Sequence, residues 1–291
     1  MKPAVFEYHA PATTDETVAL LAEFGDEAKL LAGGQSLVPM LALRLAAFEH
    51  LIDLRGLDEL RGIESTPDAV RVAATTTHAA VGRSAEIRRR VPLLNRATPL
   101  IGHFQIRNRG TLGGAVAHAD AAAEYPTVAL TLDAEIETLS PRGRRVIPAA
   151  EFFTGMWTTA MEPDELLTGV VFPVWRGRCG FAIEEFARRS GDFAMAGAAV
   201  AVRLDADSRI ERCAIGLFGL APTPVRASGI EAEVTGRAVA EVDPAELGRS
   251  ATAALSSVTG DVHGSAAYRR RLGATMVARA WRRAVEEAGD D

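Results

Sequence analysis

Two glycine pairs in this sequence could lay bare backbone against a ligand. One lies in Ala32-Gly33-Gly34-Gln35-Ser36. The other lies in Thr111-Leu112-Gly113-Gly114-Ala115, within the longer stretch Gln105–Pro126. The run Gly110–Gly114 lacks a Cβ at three of its five positions. Such backbone can take positive φ and lie flat against a ligand, at an entropic cost that asks for a reason. Small side chains continue through Ala115, Ala117, Ala119 and Ala121, which keeps the wall low. The first pair reads as a strand-to-helix turn, whose open amide donors and partial positive charge suit a phosphate. The second can offer consecutive amides as a nest. Together they could clamp a diphosphate from two sides. Neither has the Walker or Rossmann spacing, so on spacing alone a plain tight turn is the competing reading.

Other groupings are weaker. His118, Asp120 and Glu124 could be read as metal ligands, but they are interleaved with alanines, and a metal needs three or four converging donors with support behind them. His103, just upstream of the second glycine pair, is a candidate pocket residue. The remaining histidines, His9, His50, His78 and His263, read as structural or unassigned. No Ser/His/Asp or Cys/His grouping stands out. Cys179 and Cys213 are the only cysteines. An iron–sulfur cluster wants about four thiolates in tight spacing, so this chain cannot hold one alone.

The elements that must position these residues are legible in part. Thr13 with Glu16 three residues on forms a capping box. The helix it starts carries Val18, Leu21 and Ala22 and stops at Gly25. A strand at 28–32 runs into the first glycine turn, and Ser36 is placed to cap a helix from Leu37 to Leu45, Pro39 being tolerated in its first turn. A strand at 50–54 completes a helix–strand–helix–strand unit, which favours parallel strands. A strand at 69–74 follows. Thr76 or Thr77 could then cap a helix running to about Arg90, and a short helical piece lies between Pro92 and Pro99. Further on come a helix at 127–132, an alternating strand at 134–139, a turn at Pro141-Arg142-Gly143 and a strand at 165–174. Three strand candidates (181–189, 194–204 and 212–218) precede helices at 230–234, 244–257 and 265–288. The last repeats apolar residues at four-residue steps. The expected fold is α+β. A small parallel-strand unit (1–55) and a mixed or antiparallel sheet unit (56–175) lead to a C-terminal domain of three antiparallel strands and helices (176–291).

Composition narrows the class. The 291 residues are 48% hydrophobic and 24% charged, as in an ordinary globular protein. A net charge of −6 leaves no field for a polyanion, so nucleic acid is not an expected partner. Charged residues interrupt every apolar run short of a membrane span, Ala194–Val202 being among the longest. An acid at Glu7 stands where a signal peptide needs apolar residues, which points to a cytoplasmic location.

The two glycine signatures, Ala-Gly-Gly-Gln-Ser-Leu-Val-Pro-Met (32–40) and Ile-Arg-Asn-Arg-Gly-Thr-Leu-Gly-Gly (106–114), resemble those of one family. That family is the FAD-binding medium subunit of molybdenum hydroxylases of the xanthine and carbon monoxide dehydrogenase type. Ala-His-Ala-Asp (117–120), Phe-Ala-Arg-Arg-Ser-Gly-Asp-Phe-Ala (186–194), Thr-Pro-Val-Arg-Ala (223–227) and Tyr-Arg-Arg (268–270) extend the resemblance over nearly the whole chain. It implies that Ala32, Gly33, Gly34, Gln35, Ser36 and Leu37, with Thr111, Leu112, Gly113, Gly114 and Ala115, hold the FAD diphosphate. It places Ile101 and His118 against the cofactor, and Glu124 where the family commonly has Asp. Leu167, Asp192 and Phe193 fall beside the isoalloxazine. Some relatives have a Lys in the strand before Gly191, where this chain has Glu184 and Glu185.

The function so implied is that of an FAD-carrying electron-transfer subunit in a heterotrimer. A large molybdenum-cofactor subunit would oxidise substrate and a small 2Fe-2S subunit would relay electrons, with a dimer of heterotrimers as the assembly. No catalytic side chain and no metal ligand are expected in this chain. A stand-alone FAD oxidase or reductase would instead need a base near the flavin, Glu124 or His103. A flavin-less scaffold is the third reading. Substrate and terminal acceptor are not readable, and no NAD motif stands out.

Overall fold

The computed structural model describes residues 2–290. Its first layer is a parallel sheet of β1 (Glu7–His9), β2 (Ala28–Leu31) and β3 (His50–Asp53), in the order β1-β3-β2. The expected alternation supplies β2 and β3; β1, only three residues long, had no sequence signal. Helix α1 (Thr14–Phe24) begins as its capping residues dictate, with Thr13 Oγ1 accepting the Glu16 amide, and ends at Gly25 with φ +51°. Helix α2 (Leu37–Ala42) is shorter than expected. Ser36 does not cap it: its backbone is already helical and its hydroxyl makes no capping bond.

The second layer is an antiparallel sheet of β4 (Ile63–Ser65), β5 (Ala69–Ala73), β6 (Glu135–Ser140), β7 (Gly143–Pro148) and β10 (Leu166–Pro173), in the order β4-β5-β10-β6-β7. A two-stranded ribbon, β8 (Phe153–Gly155) with β9 (Thr158–Thr159), stands apart. The expected helix to Arg90 is two helices, α3 (His78–Arg83) and α4 (Ala85–Arg90). Thr77 caps the first, and Ser84, in extended backbone, caps the second by accepting the Ile87 amide. Helices α5 (Pro92–Ala97), α6 (Phe104–Arg107), α7 (Leu112–His118), α8 (Glu124–Thr131) and α9 (Ala149–Phe152) complete this part.

The third layer has four antiparallel strands rather than three: β11 (Arg178–Phe186), β12 (Ala196–Leu204), β13 (Ile210–Phe218) and the two-residue edge β14 (Val225–Arg226). Helices α10 (Ser228–Val234), α11 (Pro244–Ala253) and α12 (Ala266–Gly289) follow. Strand β12 is buried on both faces. Ala199 and Ala201 join the apolar core of the middle layer, while Ala198, Val200 and Val202 join Met276, Val277 and Trp281 of α12. That two-sided burial explains the uninterrupted apolar run, since neither face meets water. Gly180 brings α12 close: a Cβ there would overlap the Ala284 carbonyl. Arg96 links the layers, pairing with Glu287, which also accepts the Phe181 amide at 2.8 Å.

Candidate functional site

The site begins at the carboxyl ends of β2 and β3, the edge where open parallel sheets bind ligands. After Leu31 the chain turns through Gly33 and Gly34, the latter at φ +73°, and enters α2. Val38 N–H donates to the Gly34 carbonyl and Met40 N–H to that of Ser36, so the helical ladder starts at Val38. The amides of Gly34, Gln35, Ser36 and Leu37 have no acceptor among the described residues. Four adjacent amides that water alone can satisfy form a ready anion site.

The second glycine pair does not form the expected nest. It is the first turn of α7, capped by Thr111, whose Oγ1 accepts the Gly114 amide at 3.1 Å. Leu112 N–H donates to Thr76 O, Gly113 N–H to Ala74 O and Ala115 N–H to Thr111 O. All four amides from 112 to 115 are therefore committed inside the chain. The glycines here serve close approach. A Cβ on Gly113 would lie 2.6 Å from Ala74 Cβ, and one on Gly114 would lie 3.4 Å from Ala32 Cβ. On the first turn, a Cβ at Gly33 would overlap the Arg109 carbonyl and lie 2.6 Å from Gly110 Cα. The two turns thus meet backbone to backbone, and only the first presents donors.

A cleft of about 400 Å³ opens beside the first turn, lined by Ala32, Gly34, Gln35, Pro39, Asp53, Arg55 and Arg109. Buried Asp53 accepts from Tyr8 Oη at 2.5 Å and from the Arg55 amide at 2.8 Å, and pairs with the Arg55 guanidinium at 3.0 Å. Arg55, paired with Asp53, and Arg109 are the two cationic residues that line the cleft. Sequence reading missed Asp53, Arg55 and Arg109. The Arg-Gly step at 109–110 was the available signal for the last.

Behind the second pair lies His78, whose amide donates to Gly110 O at 2.9 Å. Its ring packs edge-on against Tyr125, 4.9 Å between centroids, and its Nδ1 is buried with no hydrogen-bond partner among the described residues. Burial, and then the charge of Arg107, pushes the imidazole down to about 4.

The other expected residues fall into two groups. His118 ends α7, half-buried, with its ring 6.4 Å from that of Trp157; burial lowers its pKa against the pull of Asp120. Asp120 Oδ1 accepts the Ala122 amide at 2.8 Å. Glu124 opens α8 and is buried; desolvation, then the charges of Glu185 and Asp120, push its carboxyl up to about 8. Desolvation likewise raises Glu185 to about 7, and its Oε2 has no hydrogen-bond partner among the described residues. Glu184, one residue earlier, faces the other way and pairs with Arg283 of α12. His118, Asp120 and Glu124 do not form a three-donor cluster; among the described residues such clusters lie elsewhere.

Ile101 packs on the middle core, to which buried Leu167 also belongs. Gly191, at φ +84°, sits against Gly102 and His103, so close that a Cβ would lie 2.8 Å from the imidazole Cε1. The loop between β11 and β12 is thereby laid beside the segment after Ile101, with Asp192 and Phe193 exposed. Arg107 pins that segment by donating to the Ile101 carbonyl at 3.0 Å and the Gly102 carbonyl at 2.7 Å.

Residues 4–175 match the model of the FAD-binding domain in molybdopterin dehydrogenase, and residues 181–284 that of the CO dehydrogenase flavoprotein C-terminal domain. The carbon monoxide dehydrogenase medium chain of Hydrogenophaga pseudoflava is 38% identical over 96% of this chain and 97% of its own. The nicotine 6-hydroxylase medium subunit of Paenarthrobacter nicotinovorans is 39% identical over 99% of each. Among solved structures, a carbon monoxide dehydrogenase from Hydrogenophaga pseudoflava superposes with a TM-score of 0.94 at 38% identity, covering 99% of both chains. Quinoline 2-oxidoreductase from Pseudomonas putida 86 superposes with 0.93 at 34% identity, covering 99% of both chains.

Proposed function

Because this chain belongs to the family of FAD-binding medium subunits of molybdenum hydroxylases, we propose that it carries electrons through FAD between a 2Fe-2S partner and a terminal acceptor. A large partner would hold the molybdenum cofactor and oxidise the substrate. A small partner would hold the 2Fe-2S clusters, in a dimer of heterotrimers in the cytoplasm. Cys179 and Cys213 lie on opposite faces of the C-terminal sheet, packed against different cores, so their thiols cannot converge on a cluster. Among the described residues no helix is long and apolar enough to cross a membrane.

The observation that carries the reading is the meeting of the two glycine turns beside four open amides, in a cleft lined by Arg55 and Arg109. A diphosphate fits that donor set. The amides of Gly34, Gln35, Ser36 and Leu37 would take its oxygens, and Arg109, with Arg55 already paired to Asp53, would leave the cleft net positive. Gly33, Gly113 and Gly114 let the two turns close on each other beside it, with Ala32 and Ala115 as small neighbours, while Thr111 and Leu112 anchor the second turn. His118 and Glu124 would border the cofactor beyond the diphosphate. Ile101, Leu167, Asp192 and Phe193 would border the isoalloxazine. When bound, the flavin supplies the redox chemistry, and the chain binds it, orients it and sets the field around it. Glu124, held protonated at neutral pH, would offer a donor there instead of a second negative charge. The relatives named act on carbon monoxide, nicotine and quinoline, so the substrate is a property of the assembled enzyme rather than of this chain.

The test is to purify the chain, alone and co-expressed with both partners, record its visible spectrum and identify by mass what heat releases. The two-banded flavin spectrum with FAD released is expected, and Gly114→Asp should abolish both. Released FMN would discredit the diphosphate clamp. A colourless protein even after co-expression would overturn the proposal.

A further inference from the structure

Away from the cleft, the amino-terminal sheet gathers a second set of donors. Glu7 and His9 stand two residues apart on β1 and so share a face of the sheet. His50 opens β3 and pairs with Glu7 in the parallel register. His9 Nε2 and His50 Nδ1 face each other at 3.1 Å, and Glu7 Oε2 lies 3.5 Å from His50 Nδ1. The three donor atoms all lie within 4.8 Å of one another. Two imidazole nitrogens this close share either a proton or a cation. Tetrahedral zinc with bonds of about 2.0–2.1 Å holds two nitrogens roughly 3.3 Å apart, so the observed spacing needs adjustment by only a few tenths of an ångström.

The rings are also held. Phe24 of α1 stacks on His50 with centroids 3.8 Å apart and planes 12° apart, and its ring lies 5.1 Å from that of His9. Glu27 and Glu49 bring two more carboxylates to His50, so the surroundings are anionic and favour a cation. Imidazoles with a carboxylate suit a borderline transition metal rather than calcium or magnesium, which prefer all-oxygen sites.

We propose that Glu7, His9 and His50 bind a divalent transition-metal ion of the zinc type. The fourth position would be filled by water. The site joins β1, a three-residue edge strand, to β3 by side chains as well as backbone. It lies at the amino end of β3, three residues and about 10 Å from Asp53 in the cleft, so its role is that of a clasp on the sheet.

Full-length protein freed of metal by chelation would be dialysed against micromolar zinc chloride, with bound zinc measured by mass spectrometry. One equivalent is expected on the wild type, together with a higher melting temperature than in the metal-free protein. His9→Ala should lose the zinc and the thermal shift, Glu7→Gln should weaken binding about tenfold, and His263→Ala should keep both. His9 and Glu7 are chosen because their loss leaves the Phe24–His50 stack in place. Far-UV circular dichroism at 20 °C would establish that each variant is folded. No zinc retained by the wild type, retention undiminished in His9→Ala, or affinity unchanged in Glu7→Gln would each overturn the site.

Discussion

Single atoms decide what the glycines do. A methyl group at Gly33 would be driven into the Arg109 carbonyl and would force the two turns apart. Overpacking of that kind costs about 1–3 kcal/mol, or roughly 5- to 150-fold in affinity. Gly33→Ala should therefore weaken FAD binding by one to two orders of magnitude, measured by titrating flavin-free protein. Unchanged affinity would mean that the contact between the turns is incidental. His78 makes a second prediction at this scale. Its pKa is depressed to about 4, so it contributes stability that is present above pH 6.5 and lost as pH falls through 4. The difference is about 3 kcal/mol, and urea unfolding of His78→Gln should show an acid limb shallower by that amount. Glu124 runs the opposite way. Raised to about 8, it contributes stability present below pH 4.5 and lost as pH rises through 8. Glu124→Gln should accordingly remove a pH-dependent loss of roughly 5 kcal/mol, seen as a flatter unfolding profile between pH 4.5 and 8.

At the scale of elements, the contact of α12 with β11 depends on a missing side chain. With no room for a Cβ beside the Ala284 carbonyl, Gly180→Ala must lift the helix from the sheet and should cost 3 kcal/mol or more. A melting temperature lower by only a degree or two would argue that the helix slides without loss. The same scale shows what could be read in advance. Thr13, Thr77, Thr111 and Ser265 each accept an amide at a helix start, because a short hydroxyl side chain in extended backbone reaches the third amide on. Of these, Thr111 was hidden by the glycines behind it, which looked like loop. Ser36 fits the pattern but is already in helical backbone, which aims its hydroxyl elsewhere. Both glycine turns were legible from composition and family resemblance, though not their backbone-to-backbone contact. Which turn keeps its amides open was not, because that depends on Ala74 and Thr76, distant in sequence, accepting bonds from Gly113 and Leu112. The nearness of Glu185 to Glu124 was hidden for the same reason. Long-range packing of β11 and α8 in the shared middle core brings that charge to the site, and no local pattern marks it.

Across the whole molecule, the layers share walls. Ala199 and Ala201 of β12 belong to the middle core, while Val200 and Val202 belong to the core under α12. Arg226 reaches back from β14 to Asp133 at 2.8 Å, and Arg212 reaches the same carboxylate at 2.7 Å. With one strand serving two cores, neither can melt while the other stays intact. Calorimetry should therefore show the middle and C-terminal layers unfolding in one transition, with calorimetric and van't Hoff enthalpies that agree. Two resolved peaks would refute the shared wall.

The position of α12 in the chain has a consequence for biosynthesis. The helix begins at Ala266, well after β13 ends at Phe218, yet it covers the outer face of β11, β12 and β13. A nascent chain can complete every strand of its sheets while Val200, Val202 and Leu217 still face solvent. During translation that interval is a window for capture by a chaperone or for aggregation, and it closes only when Trp281 leaves the ribosome and docks.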